Sequence, residues 1–251
     1  MIDSNHMGMG NLVQEEEMVS TQDRRRLVLF DVDGTILNSG GAGRRAIKRA
    51  LIEVFGTTGS ADSFPFAGKT DPQIILELMT GEGLPEELIR RKLGTFFKVY
   101  IRNLEEEIPV ARKQLYPGVR ELLSNLSDMA QTILGLLTGN IREGAEIKLK
   151  AFDLNNYFQI GAYGDDSEDR YKLPQIAISR TAEKFGRSFW GKEVVIVGDT
   201  PHDINCGKAV EAKSVAVATG WTSLDELKNH KPDYIFEDFS DYEKVIEAIL
   251  A

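Results

Sequence analysis

Arg26-Leu27-Val28-Leu29-Phe30-Asp31-Val32-Asp33-Gly34-Thr35 is the stretch whose reading decides the fold. Four apolar, β-prone residues run into a polar turn that carries two carboxylates two positions apart. A run this short, with no alternation of polar and apolar residues, predicts a strand buried on both faces. A strand of that kind belongs to a parallel sheet covered by helices on both sides, with its reactive side chains at its carboxyl end.

Working outward, two more apolar runs end in small polar clusters. Gln131 to Leu137 leads into Thr138-Gly139-Asn140, and Glu193 to Val197 leads into Gly198-Asp199-Thr200-Pro201-His202-Asp203. Ligands in open parallel sheets sit beyond the carboxyl ends of the strands, so three distant clusters can share one crevice. Between residues 117 and 251 the chain alternates short strands (near 158–162, 214–218 and 234–236) with helices (119–126, 143–152, 173–185, 204–210, 224–229 and 242–250). Residues 40–114 differ. Ile47, Leu51, Val54 and Phe55 have helical spacing, Asp71-Pro72 opens a helix over 73–79, and Pro85-Glu86-Glu87 starts another that runs towards Glu107. That segment carries no convincing strand. The expected fold is α/β: a Rossmann-like parallel sheet core with helices on both faces, formed by 24–39 and 115–251, with an all-helical insertion at 40–114. Residues 1–23 read as a disordered or tag-like N-terminus, since Ser4-Asn5-His6-Met7 matches a cloning scar.

The chain has 251 residues, 30 Lys plus Arg against 39 Asp plus Glu, and a net charge of −9. This balance excludes a nucleic-acid binder that relies on a broad basic surface, yet leaves room for a small anionic substrate held by local cations and a metal. One cysteine, Cys206, rules out an intrachain disulfide and fits a reducing, cytoplasmic setting. No apolar run approaches the ~20 residues that span a bilayer, so no membrane partner is expected.

The three clusters resemble the haloacid dehalogenase-like (HAD) superfamily of phosphohydrolases over about residues 26–250. Asp31-Val32-Asp33-Gly34-Thr35 matches its first motif, Thr138 its second, and Gly198-Asp199-Thr200-Pro201-His202-Asp203 its acidic fourth. Asp33 and Asp199 capping turns would explain each cluster alone, but not the set. The insertion is similar to the helical cap of phosphoglycolate-phosphatase-like members, on Gly68-Lys69-Thr70-Asp71. The resemblance implies a phosphatase acting on a small phosphorylated metabolite, as a monomer or homodimer.

The chemistry is also legible without the family. A carboxylate attacking a phosphate ester meets charge repulsion, which a bridging cation relieves; Asp31 and Asp199 offer hard oxygen donors suited to Mg²⁺, and Asp203 could bind directly or through water. Asp31 then fits a nucleophile, and Asp33 a general acid and base. The resemblance adds metal coordination through the Asp33 main-chain carbonyl. Thr138 and the Gly139 N–H would hold phosphoryl oxygens, with Asn140 shaping the loop, while Gly34 permits a tight backbone path and Thr35 is expected to hydrogen-bond near the carboxylates; Gly34, Thr35, Gly139 and Asn140 are the candidate substrate-binding residues here.

The family's third motif needs a cation on the helix following the third core strand. In Asp169-Arg170-Tyr171-Lys172-Leu173-Pro174, alignment on Pro174 leaves Arg170 or Lys172 to supply it, with Arg170 preferred. Lys69 is a candidate for reaching substrate from the insertion, equally a surface lysine. Arg44 and Arg45 read as solvated helix charges. Glu168 and its acidic neighbours read as a solvated loop, His202 as a loop residue, and Cys206 as packing. Phe64, Phe66, Phe96, Phe97 and Tyr100 are expected to form the insertion's core. A sugar phosphomutase, which shares the nucleophile and acid, and a catalytically weak binding homologue remain alternatives.

Overall fold

The computed structural model describes residues 25–251, so the expectation for residues 1–23 lies outside the described residues. Strand β1 (Arg26–Phe30) and the two-residue β2 (Leu37–Asn38) lead to helices α1 (Ala42–Phe55), α2 (Asp71–Gly81) and α3 (Glu86–Val110). The chain continues through β3 (Gln114–Leu115), α4 (Val119–Asp128), β4 (Thr132–Leu137), α5 (Arg142–Lys150), β5 (Ile160–Ala162) and α6 (Leu173–Phe185). It closes with β6 (Val194–Gly198), α7 (Pro201–Ala209), β7 (Lys213–Val217), α8 (Leu224–Asn229), β8 (Tyr234–Phe236) and α9 (Tyr242–Leu250).

The six-stranded sheet has the order β5-β4-β1-β6-β7-β8, and every pairing is parallel. Strand β1 lies between β4 and β6, with Phe30 opposite Leu136 and Val197. The ends of these three strands therefore lie side by side, and the polar clusters that follow them share one edge of the sheet.

Alternation along β1 sends its side chains into two cores. Val28 and Phe30 join one apolar cluster with Leu122 and Leu126 of α4, Leu149 of α5 and Val245 of α9. Leu27 and Leu29 join another with Leu173 and Ala177 of α6 and Cys206 of α7. Both faces are thus covered, as the unalternating run required. Residues 42–110 have a third cluster, built on Ile47, Leu51, Ile75, Leu78, Phe96, Tyr100 and Leu104.

The sequence reading missed one feature. Leu37–Asn38 and Gln114–Leu115 pair as a short antiparallel ribbon where the helical segment leaves and rejoins the sheet layer. Two-residue strands carry no periodicity from which to read them. Among the described residues, no helix is long and apolar enough to cross a membrane.

The return to the sheet layer turns at Gly118, which adopts φ 76° and precedes α4. A Cβ there would lie 1.7 Å from the Phe239 carbonyl oxygen, a backbone atom that cannot swing away. Gly118→Ala is expected to cost about 3 kcal/mol, from positive φ plus steric displacement of the 239–240 segment. A urea titration checks this: the midpoint should fall with the slope unchanged.

Candidate active site

Asp31 follows the last residue of β1, and its N–H donates to the Val197 carbonyl (3.0 Å), which fixes it to the neighbouring strand end. Asp199 follows β6, and Asp203 lies in the first turn of α7. The three carboxylates are buried, and one oxygen from each lies within 4.8 Å of the others. Burial pushes the Asp31 carboxyl up to about 6, with Arg170 opposing the shift and Asp203 adding to it. Burial, reinforced by Asp203 and Asp31, pushes Asp199 well above the ordinary carboxylate range.

Among the described residues, one cation is buried against them. Arg170 sits in a one-turn 3₁₀ helix whose start is capped by the Asp169 side chain accepting from the Tyr171 N–H. Its guanidinium donates to Asp203 Oδ1 at 2.5 Å and lies 3.2 Å from Asp31 Oδ2, while its Nε has no hydrogen-bond partner. Three buried carboxylates against one guanidinium leave two charges unmatched. Asp203 Oδ2 also accepts from the Thr200 N–H (3.0 Å) and hydroxyl (2.7 Å), so both Asp203 oxygens are engaged. Asp199 Oδ1 accepts from the Thr35 hydroxyl (3.0 Å), and Asp199 Oδ2 is buried with no hydrogen-bond partner among the described residues. Such an orphan is costly unless something binds it. The unmatched charge, the hard oxygen donors and this orphan all fit a divalent cation such as Mg²⁺.

The carboxylates open into a cavity of about 370 Å³ between the strand ends and the helical segment. Asp31, Asp33, Thr138, Gly139, Asn140, Arg170, Asp199 and Lys69 all line it. Thr138 supplies a side-chain hydrogen bond to Asp31. Gly34 and Thr35 both border Asp199: Thr35 is fully buried and donates to it, and a Cβ on Gly34 would lie 2.3 Å from Asp199 Oδ2. Gly220 leaves the same clearance from the other side, where a Cβ would lie 1.7 Å from that oxygen.

Lys172 does not reach the carboxylates. Its side chain is 71% exposed, and its nearest acidic partner is Asp169 at 4.0 Å. Lys69 borders the cavity, but its Nζ pairs with both Glu77 oxygens at 2.9 Å. Arg44 is not the solvated charge expected of it: it lies over the Phe66 ring and donates to the Ala61 and Phe64 carbonyls. The acidic loop is likewise engaged. Asp166 pairs with Arg180, Asp165 accepts from the Arg142 N–H, and Glu168 pairs with Arg90. His202 Nδ1 meets the Tyr171 hydroxyl at 2.9 Å and is no ligand of the carboxylate set. Cys206 is buried packing, its thiol pushed up to about 12 by burial.

Sequence reasoning missed Lys148. Its Nζ donates to Asp33 Oδ2 and to Asn140 Oδ1, both at 2.5 Å, and its side chain is 5% exposed. Asn140 Nδ2 completes the set, 2.9 Å from Asp33 Oδ2 and 2.8 Å from Thr138 Oγ1. One signal could have found it: on α5, Lys148 falls on the buried stripe with Gly144, Ala145 and Leu149, where a lysine needs a partner.

Asp71 was read as the cap of α2, yet Thr70 is the N-cap, accepting from the Gln73 N–H. The Asp71 carboxylate instead accepts from the Ile141 N–H (2.9 Å) across the cavity wall, and the Asp71 N–H donates to the Gly139 carbonyl (2.7 Å). Thr70 donates to the Glu168 carbonyl at 2.8 Å. These bonds seat residues 68–71 on the Thr138–Ile141 loop.

The unmatched charge yields a measurable expectation. Because the folded Asp31 carboxyl is raised from 3.8 to about 6, the metal-free protein loses stability as pH rises through that window. A cation bound to the ionised set reverses that loss. At pH 7.5, Mg²⁺ at about 100 times its Kd should stabilise the fold by about 2.7 kcal/mol. The gain should shrink as pH falls below about 6, where protons compete at Asp31, and Asp199→Asn should reduce it strongly. Thermal melts with and without Mg²⁺ at pH 5 and 7.5 measure it.

A family model described as haloacid dehalogenase-like hydrolase matches residues 28–217. A phosphoglycolate phosphatase of Haemophilus influenzae is 27% identical over 223 residues, covering 86% of this chain and 95% of that one. Pyrophosphatase PpaX of Bacillus mycoides is 25% identical over 223 residues, covering 88% and 97%. The crystal structure of a predicted phosphoglycolate phosphatase from Haemophilus somnus aligns with a TM-score of 0.67 at 25% identity, covering 89% and 98%. With the motif residues gathered at three adjacent strand ends and a family match over most of the sheet domain, the chain belongs to the haloacid dehalogenase-like hydrolases.

Proposed function

We propose that the protein is a Mg²⁺-dependent phosphatase that hydrolyses a small phosphate monoester through an aspartyl-phosphate on Asp31, with residues 40–114 acting as a cap over the site. The observation that carries this reading is the setting of Asp31. It stands at a strand end, 3.2 Å from a buried guanidinium, beside the Thr138 hydroxyl, and two residues before an acid held by Lys148 and Asn140. Relatives named for phosphoglycolate and pyrophosphate support a substrate among small phosphorylated metabolites.

In this reading an Asp31 oxygen attacks phosphorus, and the bond from phosphorus to the leaving oxygen breaks. Asp33 gives its proton to that oxygen, then takes one from the water that attacks the aspartyl-phosphate and releases phosphate. Arg170, 3.2 Å from Asp31, offsets the charge of the nucleophile and of the phosphoryl group brought to it. The Thr138 hydroxyl holds a phosphoryl oxygen. Asp31, Asp199 and Asp203 would hold a Mg²⁺ ion, which would supply the remaining positive charge. Lys148 and Asn140 fix the orientation of the Asp33 carboxylate.

Phosphate release from p-nitrophenyl phosphate and a panel of small phosphometabolites with Mg²⁺ tests the reading, with Asp31→Asn as the control that should lose turnover. Arg170→Ala should cost about 10²–10³ in kcat/KM, and Lys172→Ala a few-fold at most. Severe loss in Lys172→Ala with a mild Arg170→Ala would reverse the assignment; melting curves separate rate effects from unfolding, since removing Arg170 leaves buried carboxylates unpaired.

Lys148→Met should lower turnover of alkyl phosphates by roughly 10² and that of the aryl ester far less, because a good leaving group needs little protonation. Equal losses for both classes of ester would assign Lys148 a purely structural part.

A further inference from the structure

The wall of the cavity contributed by the helical segment has its own chemistry. Four cations line the cavity, and each is already held by protein acceptors: Arg170 by Asp203 and Asp31, Lys148 by Asp33 and Asn140, Lys69 by Glu77, and Arg44 by backbone carbonyls of 61 and 64. None of the four is left for a second anionic group on the substrate.

What faces that space instead is Asp71 and Tyr100. Asp71 is 6% exposed; one oxygen accepts from the Ile141 N–H, and the other accepts no hydrogen bond from the described residues. Tyr100 is 1% exposed and lines the cavity, with its ring stacked on Phe96. Its hydroxyl has no hydrogen-bond partner among the described residues. It is close enough to Asp71 and Asp33 for both charges to act on it, adding to the rise that burial imposes on the phenol. Ile47, Ile74 and Phe66 supply apolar walls.

A carboxylate or phosphate placed here would face Asp71 without a free countercharge in a site of low dielectric. A hydroxyl meets no such conflict, since it donates to the free Asp71 oxygen and accepts from Tyr100. Resting on the phosphatase reading above, we propose that the leaving group this site accepts is uncharged and hydroxylated, as in a polyol or sugar phosphate, with Asp71 and Tyr100 recognising its hydroxyls. The chain then differs in substrate charge from relatives named for phosphoglycolate and pyrophosphate.

Phosphate release with Mg²⁺ from sn-glycerol 3-phosphate, ribose 5-phosphate, 2-phosphoglycolate and pyrophosphate provides the test, with p-nitrophenyl phosphate as reference. At least one of the two neutral-leaving-group esters should exceed phosphoglycolate and pyrophosphate in kcat/KM by about tenfold or more. Asp71→Asn should shrink that preference about fivefold or more by raising phosphoglycolate turnover relative to the polyol ester. Tyr100→Phe, which keeps the ring and its packing, should lower the polyol ester selectively. Phosphoglycolate or pyrophosphate equal to or better than both neutral esters overturns the inference, as does a preference that both variants leave unchanged. Turnover of p-nitrophenyl phosphate in either case leaves the phosphatase reading standing, whereas no turnover of any ester removes both.

Discussion

Three buried carboxylates held together against a single guanidinium set the terms for everything around them. Bringing Asp31, Asp199 and Asp203 within 4.8 Å of one another is unfavourable in a dry interior, and the elevated Asp31 and Asp199 values register that strain. The neighbouring structure limits the penalty. The Thr35 hydroxyl and the α7 start each supply donors, and a one-turn helix delivers Arg170 from a separate strand-to-helix connection. The parallel sheet makes this possible. Only adjacent strand ends bring residues 31, 138 and 199 together without long loops.

Charge matching continues on the side of the helical segment, with a different result. Lys148 offsets Asp33 and opposes the burial that pushes Asp71 up to about 6, so one lysine serves two carboxylates on opposite walls of the cavity. The Asp71 bonds to the Gly139 carbonyl and the Ile141 N–H join the helical segment to the loop that carries Thr138. The helical segment and the strand-end loop are therefore mechanically joined rather than independent.

Much of this was legible in the residues. The unalternating run over 27–30 gave a doubly covered strand, and the helix expected over 173–185 has those limits in the structure. Motif positions gave Asp31, Asp33, Thr138 and Asp199 because turn chemistry at a strand end is local. Arg170 was separable from Lys172 only through an alignment on Pro174; burial decides between them, and burial of one residue in a 3₁₀ turn has no periodic signature. Lys148 was missed because it lies on a helical stripe that reads as packing, and what that stripe faces, Asp33 and Asn140, is a tertiary fact; Tyr100 does belong to the core of the helical segment, as its spacing implied. Lys69 looked available for substrate because the Glu77 that holds it lies two turns further along α2, and side-chain pairing across that distance is not fixed by sequence spacing alone.

The glycines flanking Asp199 carry a consequence for how this scaffold can diversify. At Gly34 and Gly220 any added methyl would occupy the space of the buried carboxylate itself. Drift at these two positions is therefore closed off, and with it any gradual reshaping of that wall. The opposite wall is made of ordinary side chains on helices, such as Ile47, Ile74 and Tyr100, which can be exchanged one at a time. New specificities in descendants of this chain must accumulate on the helical side, while the phosphoryl-transfer side is inherited whole.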